Sequence, residues 1–191
     1  MGARAVFLVG FMGSGKSTVC PELARRLGWE FVDLDSRIEA REGKSVPEIF
    51  RDHGEAGFRQ AESDALRALA QSLERDGVVA CGGGAFAQER NRELLQGWPT
   101  VFLNAPVEEL WRRSQEDGIE RPLRKDWNHF ARLHAQRFPF YRRATITVET
   151  SGRDVTSICS EIEAQLKLAV AEGRRSSVAS DSPNSRPGES Q

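Results

Sequence analysis

The stretch Gly10-Phe11-Met12-Gly13-Ser14-Gly15-Lys16-Ser17, followed by Thr18, decides the fold. It is a complete G-x-x-x-x-G-K-[ST] pattern. Before it, Ala5–Val9 is a short apolar run rich in β-formers. After it, Ser17–Leu27 carries Val19, Leu23 and Leu27 at four-residue spacing, so a buried strand passes into a helix across the glycines. Glycines let successive backbone N–H groups face one anion, and the helix N-terminus adds partial positive charge at the same point. This chemistry suits a nucleoside triphosphate. Lys16 would reach its β- and γ-phosphates, the Ser17 hydroxyl would ligate Mg²⁺, and Gly13, Ser14, Gly15 and Thr18 would complete the cradle. The bland alternative is a glycine-rich strand-to-helix turn that binds nothing, and the complete motif in this context argues against it.

Outward from this loop, strand and helix signals alternate. Phe31–Leu34, Val78–Cys81, Thr100–Leu103 and Thr145–Glu149 read as further strands. Ser36–Glu42, Val46–Phe50, Gly54–Leu73, Glu89–Gln96, Val107–Arg113, Asn128–Arg137 and Val155–Ala171 read as helices, and Gly28 is placed to end the first one. The pattern predicts an α/β fold of three layers, a five-stranded parallel sheet covered on both faces. Ser114–Trp127, charged and weakly periodic, reads as a mobile surface segment. Residues 173–191 are rich in Ser, with Pro and Gly and almost nothing apolar. They read as a disordered tail, leaving residues 1–172 for one domain.

Composition narrows the function. With 27 Lys+Arg against 28 Asp+Glu, the net charge of −1 argues against nucleic acid or an anionic membrane as the main partner. No apolar run approaches the roughly 18 residues of a membrane span, and the N-terminus does not read as a signal peptide. Cys20, Cys81 and Cys159 are scattered, odd in number and without metal-ligand spacing, which fits a reducing cytoplasm. No apolar surface stripe is evident, so the expectation is a monomer.

Further residues bear on chemistry. In Asp33-Leu34-Asp35, period-two geometry puts both carboxylates on one side of the second strand's C-terminal edge, where open α/β sheets hold ligands. One would steady Mg²⁺ through water and the other take a proton from an attacking hydroxyl. The competing reading is a strand end and a helix cap. Arg59 and Glu62 stand three apart on one helix face, so Glu62 can hold the guanidinium for a carboxylate ligand; an exposed ion pair is the plainer reading. Gly82-Gly83-Gly84 lets a ligand lie against the backbone. Arg121, inside the mobile segment, could close over a transferring phosphate. Arg137 falls where a helix gives way to the fifth strand. Arg153 precedes the last helix and could lie flat against a base.

Taken in order, these pieces resemble the shikimate kinase family. The family's F-x-D-x-D-x-x-I-E stands as Phe31-Val32-Asp33-Leu34-Asp35-Ser36-Arg37-Ile38-Glu39, and its G-x-S-[IV]-x-[ED]-I-F as Gly43-Lys44-Ser45-Val46-Pro47-Glu48-Ile49-Phe50. G-E-x-x-F-R-x-x-E stands as Gly54-Glu55 with Phe58-Arg59 and Glu62, while G-G-G, R-P-L, R-x-P-x-Y and a late arginine begin at Gly82, Arg121, Arg137 and Arg153. The resemblance covers about residues 4–170. It implies a P-loop fold of the nucleoside-monophosphate-kinase type, with a substrate-binding region near 34–62 and a lid near 114–127. It also implies transfer of the ATP γ-phosphoryl to the 3-hydroxyl of shikimate.

Carried over residue by residue, Asp35 would bind the substrate hydroxyls and act as base, and Arg59, steadied by Glu62, and Arg137 would clamp the carboxylate. Gly83 would give backbone contact, and Phe58 with Phe50 would wall the pocket. Ser17, and Asp33 through water, would hold Mg²⁺. Arg121 would cover the phosphates and Arg153 would lie near adenine. The chain departs from the family at Arg124, where a second leucine is common after R-P-L, and at Arg142-Arg143, where an acidic residue often follows the tyrosine. Rival readings are a kinase for another small hydroxy acid such as gluconate, a nucleoside monophosphate kinase, and a catalytically inactive binding module on the same fold.

Overall fold

The structure, a computed structural model, describes residues 4–73, 75–116 and 123–179, the stretch 169–179 as backbone alone. Five strands, β1 (Ala5–Val9), β2 (Glu30–Asp33), β3 (Gly77–Ala80), β4 (Thr100–Asn104) and β5 (Ile146–Glu149), form one sheet in the order β2-β3-β1-β4-β5. Every pairing is parallel. β1 alternates cleanly: Ala5, Phe7 and Val9 enter one core layer, Val6 and Leu8 the other. Helices α1 (Lys16–Leu27) and α7 (Val155–Ala179) cover the Val6/Leu8 face. The Phe7/Val9 face is covered by α2 (Leu34–Glu42), α3 (Val46–Ser72), α5 (Val107–Glu116) and α6 (Trp127–Tyr141). Between β3 and β4 lie a 3₁₀ turn, Ala85–Ala87, and the short α4 (Glu89–Leu94).

This order matters because β1, whose carboxyl end opens into the glycine loop, lies between β3 and β4. The chain after β1 leads toward β2 on one side, and the chain after β3 crosses β1 to reach β4. A crevice therefore opens above the carboxyl ends of β1 and β3, as expected at the switch point of a parallel sheet.

Four local expectations are corrected. Asp33 and Asp35 do not share a strand: β2 stops at Asp33 and α2 begins at Leu34, because the Asp33 carboxylate accepts the Asp35 backbone N–H at 2.9 Å and caps the helix. Arg137 is not at a helix end. α6 continues through Pro139 to Tyr141, whose fully buried ring stacks on Phe102, and that packing offsets the hydrogen bond Pro139 cannot make. The surface segment expected from Ser114 starts later, since α5 holds to Glu116 with Ser114 buried and its hydroxyl on the Trp111 carbonyl. Finally, α7 runs past Gly173 to Ala179. A helix-interior glycine costs only about 1 kcal/mol and no proline intervenes before Pro183, so nothing local stops the helix at 173. The rest of the proposed tail, 180–191, lies outside the described residues.

Candidate active site

The glycine loop between β1 and α1 is shaped by its glycines. Gly15 caps α1 in the left-handed region at φ 93°. Gly13, at φ 78°, comes so close to α5 that a Cβ would run into the Leu110 carbonyl oxygen. Lys16 lies folded over the loop, its ammonium donating to the Gly10 carbonyl (2.8 Å), the Phe11 carbonyl (3.1 Å) and the Ser14 hydroxyl (3.1 Å). These contacts hold the cation where a terminal phosphate would meet it.

A cavity of about 460 Å³ opens above the loop. Met12 to Val19, Asp33, Asp35 and Ala80 to Gly83 line one part, and Arg113, Thr150, Arg153, Val155 and Ile158 the other. Thus Gly13, Ser14, Gly15, Lys16, Ser17, Thr18, Asp33, Asp35, Gly83 and Arg153 are brought together as the sequence leads one to expect. Arg153 donates to the carbonyls of Glu149 and Ser157 (both 3.1 Å) and pairs with Glu161. Arg113 is a lining residue that the sequence reading missed. It is fastened to the Glu109 carboxylate (2.6 Å) and to Thr150 through hydroxyl and carbonyl (3.2 and 3.1 Å). Nothing in the local sequence separates it from Arg112, the other arginine of α5.

At the Gly82–Gly84 end, charge is buried. The Glu62 side chain is fully buried, and its Oε2 accepts from Arg59 Nη1 (2.9 Å) and from Gln88 (2.8 Å). The exposed-ion-pair reading of Arg59 and Glu62 therefore fails, because both groups lie inside. The Arg59 guanidinium lies against Gly84, where a Cβ would collide with it. Arg137, from α6, is more deeply buried than Arg59 and directs Nη1 at the Gly83 carbonyl (3.4 Å). The same carbonyl accepts the Tyr141 hydroxyl, a contact that the R-x-P-x-Y pattern contained without disclosing. Arg59 and Arg137 do not line the main cavity but meet beside its Gly83 edge, joined by Glu55 (3.1 and 3.8 Å). Phe58 is buried and packs on Phe50 at 4.6 Å between ring centroids, so much of its surface is spent on the core. Arg121 lies outside the described residues. Arg124, the departure from the family pattern, donates to the Ser114 carbonyl near the end of α5.

Asp35 and Glu62 converge on Gly82. A Cβ on that glycine would stand 2.9 Å from Asp35 Oδ1 and 3.0 Å from Glu62 Oε1, and neither oxygen is exposed to solvent or has a hydrogen-bond partner. Burial pushes the Asp35 carboxyl up to about 6, with neighbouring Asp33 adding to the effect and Lys16 opposing it. Burial also lifts Glu62 to about 6 against the pull of Arg59. The two arginines move in opposite directions. Burial disfavours the charge on Arg59, but Glu62 and Glu55 outweigh it, whereas burial, aided by Arg59, lowers Arg137. Arg137 is a buried cation whose ion-pair partner, Glu55, stands 3.8 Å away and is half exposed.

A family model described as shikimate kinase matches residues 12–167. The chain belongs to the shikimate kinase family. A shikimate kinase of Geobacter metallireducens is 43% identical over 168 residues, covering 86% of this chain and 92% of its own. One from Halorhodospira halophila is 46% identical over 163 residues, 82% and 90% of the two chains. The solved shikimate kinase of Acinetobacter baumannii in complex with shikimate superposes with a TM-score of 0.78 at 38% identity, over 87% of this chain and 94% of that one. As a member of the shikimate kinase family the chain is an ATP-dependent kinase, a transferase, and the expected P-loop α/β fold is borne out. Among the described residues, no helix is long and apolar enough to cross a membrane.

The donor set fits a metal of the kind nucleotide kinases use. Among the described residues, no group of three or more His, Cys, Asp or Glu could hold an ion, so a metal here would take most of its ligands from phosphate and water. Ser17 and Asp33 line the cavity beside the loop, and Asp33 spends only Oδ1 on its helix cap. Few protein oxygens and room for water suit Mg²⁺.

Proposed function

We propose that this enzyme transfers the γ-phosphoryl of ATP to the 3-hydroxyl of shikimate, giving shikimate 3-phosphate and ADP, with Asp35 as base. The observation that carries this reading is the Asp35 Oδ1. It is a buried carboxylate oxygen without a partner beside the phosphate loop, with two buried arginines around the adjoining glycines. A carboxyl with its pKa near 6 is ionised at neutral pH yet basic enough to accept a hydroxyl proton as the alcohol oxygen attacks phosphorus. Arg59 and Arg137 take the carboxylate, whose charge offsets the burial of the two cations. The Gly83 segment offers backbone contact, and Glu62 holds Arg59 in place.

On the donor side, the loop N–H groups and Lys16 hold the phosphates, and the α1 N-terminus favours their charge. Arg113 and Arg153 stand where the nucleoside would lie. Mg²⁺, held by Ser17 and through water by Asp33, would neutralise charge developing on the phosphates. From the resemblance, Arg121 would close over them from the lid. The same reading carries a monomer working in the cytoplasm, with residues 173–191 outside the catalytic domain.

A coupled assay of ADP release on a panel of small hydroxy acids tests this. Turnover with shikimate and little with gluconate is expected; turnover with gluconate and none with shikimate overturns the assignment. The matches do not favour gluconate.

A further inference from the structure

The carboxylate clamp is already filled from within the chain. A guanidinium grips a carboxylate best along the edge formed by Nε and Nη2, and in Arg59 both of those atoms donate to one oxygen, Glu55 Oε1, at 3.3 and 3.1 Å. The same Oε1 lies 3.8 Å from Arg137 Nη2. Glu55 is thus the one acid among the described residues ion-paired to both clamp arginines. Glu62 reaches Arg59 from the other side, through Nη1, and is fully enclosed. Glu55 is different in being 52% exposed, whereas the guanidinium-bearing side chains it touches are 14% and 9% exposed. It therefore enters the clamp from solvent and can leave the same way. Its position on the chain suits that movement, because Gly54 breaks the helical path of α3 at φ 65°, ψ −175° and puts Glu55 in the first turn after the break.

We propose that the Glu55 carboxylate occupies the acceptor-carboxylate position of the empty enzyme and is displaced when the substrate's carboxylate binds. This rests on the reading that Arg59 and Arg137 take that carboxylate. Glu55 is then an internal competitor that sets acceptor affinity, and it keeps two mutually repelling buried cations together until a ligand arrives. The bound acid brings no more negative charge to the clamp than the side chain it replaces, so an acceptor of the same shape without a charge cannot dislodge Glu55 from both arginines. Glu55 would in this way sharpen the preference for acids over neutral polyols.

The test is calorimetric titration of shikimate, and of its uncharged methyl ester, into the wild-type enzyme, Glu55→Gln and Glu55→Ala, followed by steady-state kinetics. Expected is shikimate binding roughly three- to tenfold tighter in Glu55→Ala, with Glu55→Gln between it and the wild type. KM for shikimate should fall while kcat and KM for ATP stay unchanged, and the ester, which cannot displace Glu55 in the wild type, should gain more than the acid. A purely structural Glu55 would instead weaken shikimate binding in both variants. Unchanged or weaker binding in the variants, with normal binding in the wild type, overturns the displacement alone. No shikimate binding to the wild type overturns the acceptor reading along with it.

Discussion

The phosphate loop spans eight consecutive residues and carries its chemistry largely on backbone N–H groups, whereas the acceptor clamp draws Asp35 from α2, Arg59 and Glu62 from α3, the glycines after β3 and Arg137 from α6. The loop buries little net charge: its one cation rests on carbonyls and a hydroxyl. The clamp buries two acids and two arginines within contact of one glycine run and leaves two carboxylate oxygens without partners. Anion binding by backbone depends on conformation, and so fails when a glycine is lost. Anion binding by buried side chains depends on charge balance, and so fails, or gains stability, when a charge is altered.

The largest effect expected from breaking this contrast is at Asp35. Asp35→Asn should lower kcat by about 10²–10⁴-fold while ATP affinity stays nearly constant. The same change should raise the melting temperature at pH 7. An Asp whose pKa rises from 3.8 to about 6 on folding destabilises the charged fold. Its fold is favoured most below the ordinary value, loses stability as pH climbs between the two values, and stays at the lower level above them. Scanning calorimetry at pH 7 checks the sign; a lower melting temperature would remove burial as the dominant influence on Asp35. In the wild type, kcat/KM should drop about tenfold per pH unit below about 6, the limb expected of that base.

On the other side of the comparison, Gly13→Ala should weaken ATP binding at least about tenfold, since the added Cβ meets the Leu110 carbonyl and the residue is held at φ 78°. Shikimate binding should hardly move, and equilibrium titration of each ligand separates the two. Arg59→Lys should raise KM for shikimate by roughly tenfold or more, because an ammonium cannot span a carboxylate with two parallel bonds. If only the ATP KM moved, the two halves would be misassigned. The smallest effect is expected at Tyr141→Phe. It leaves the Gly83 carbonyl to Arg137 alone and should cost about 1 kcal/mol of stability, with at most a few-fold rise in KM for shikimate.

The same contrast governs what the sequence discloses. The loop is legible because strand, glycines, lysine and helix are contiguous and each has one physical purpose. The sheet is legible because its strands are short stretches rich in β-formers that alternate with helical patterns. The order of Asp33 and Asp35 along the chain is legible, but their geometry is not: the decision between one more strand residue and an early helix rests on where a single carboxylate finds an N–H. Arg59 shows the general difficulty. Local spacing gives its pairing with Glu62 but not the burial of both, which depends on Gly84 and Gln88 arriving from the segment that follows β3. Arg113 is hidden among similar neighbours, and Arg137 reads as a helix end because Pro139 follows it, while the buried ring of Tyr141 that holds the helix together is a tertiary event.

The two stranded oxygens around Gly82 also determine which molecules the enzyme can be blocked with. An inhibitor that points a hydroxyl or ammonium hydrogen at the Asp35 oxygen, the one of the two on a cavity-lining residue, satisfies it. An ether, fluorine or ketone placed there leaves lone pair facing lone pair and forfeits about 1–3 kcal/mol. Chemists shortening a sugar-like scaffold should therefore keep its proton donors at this point and look elsewhere for atoms to remove.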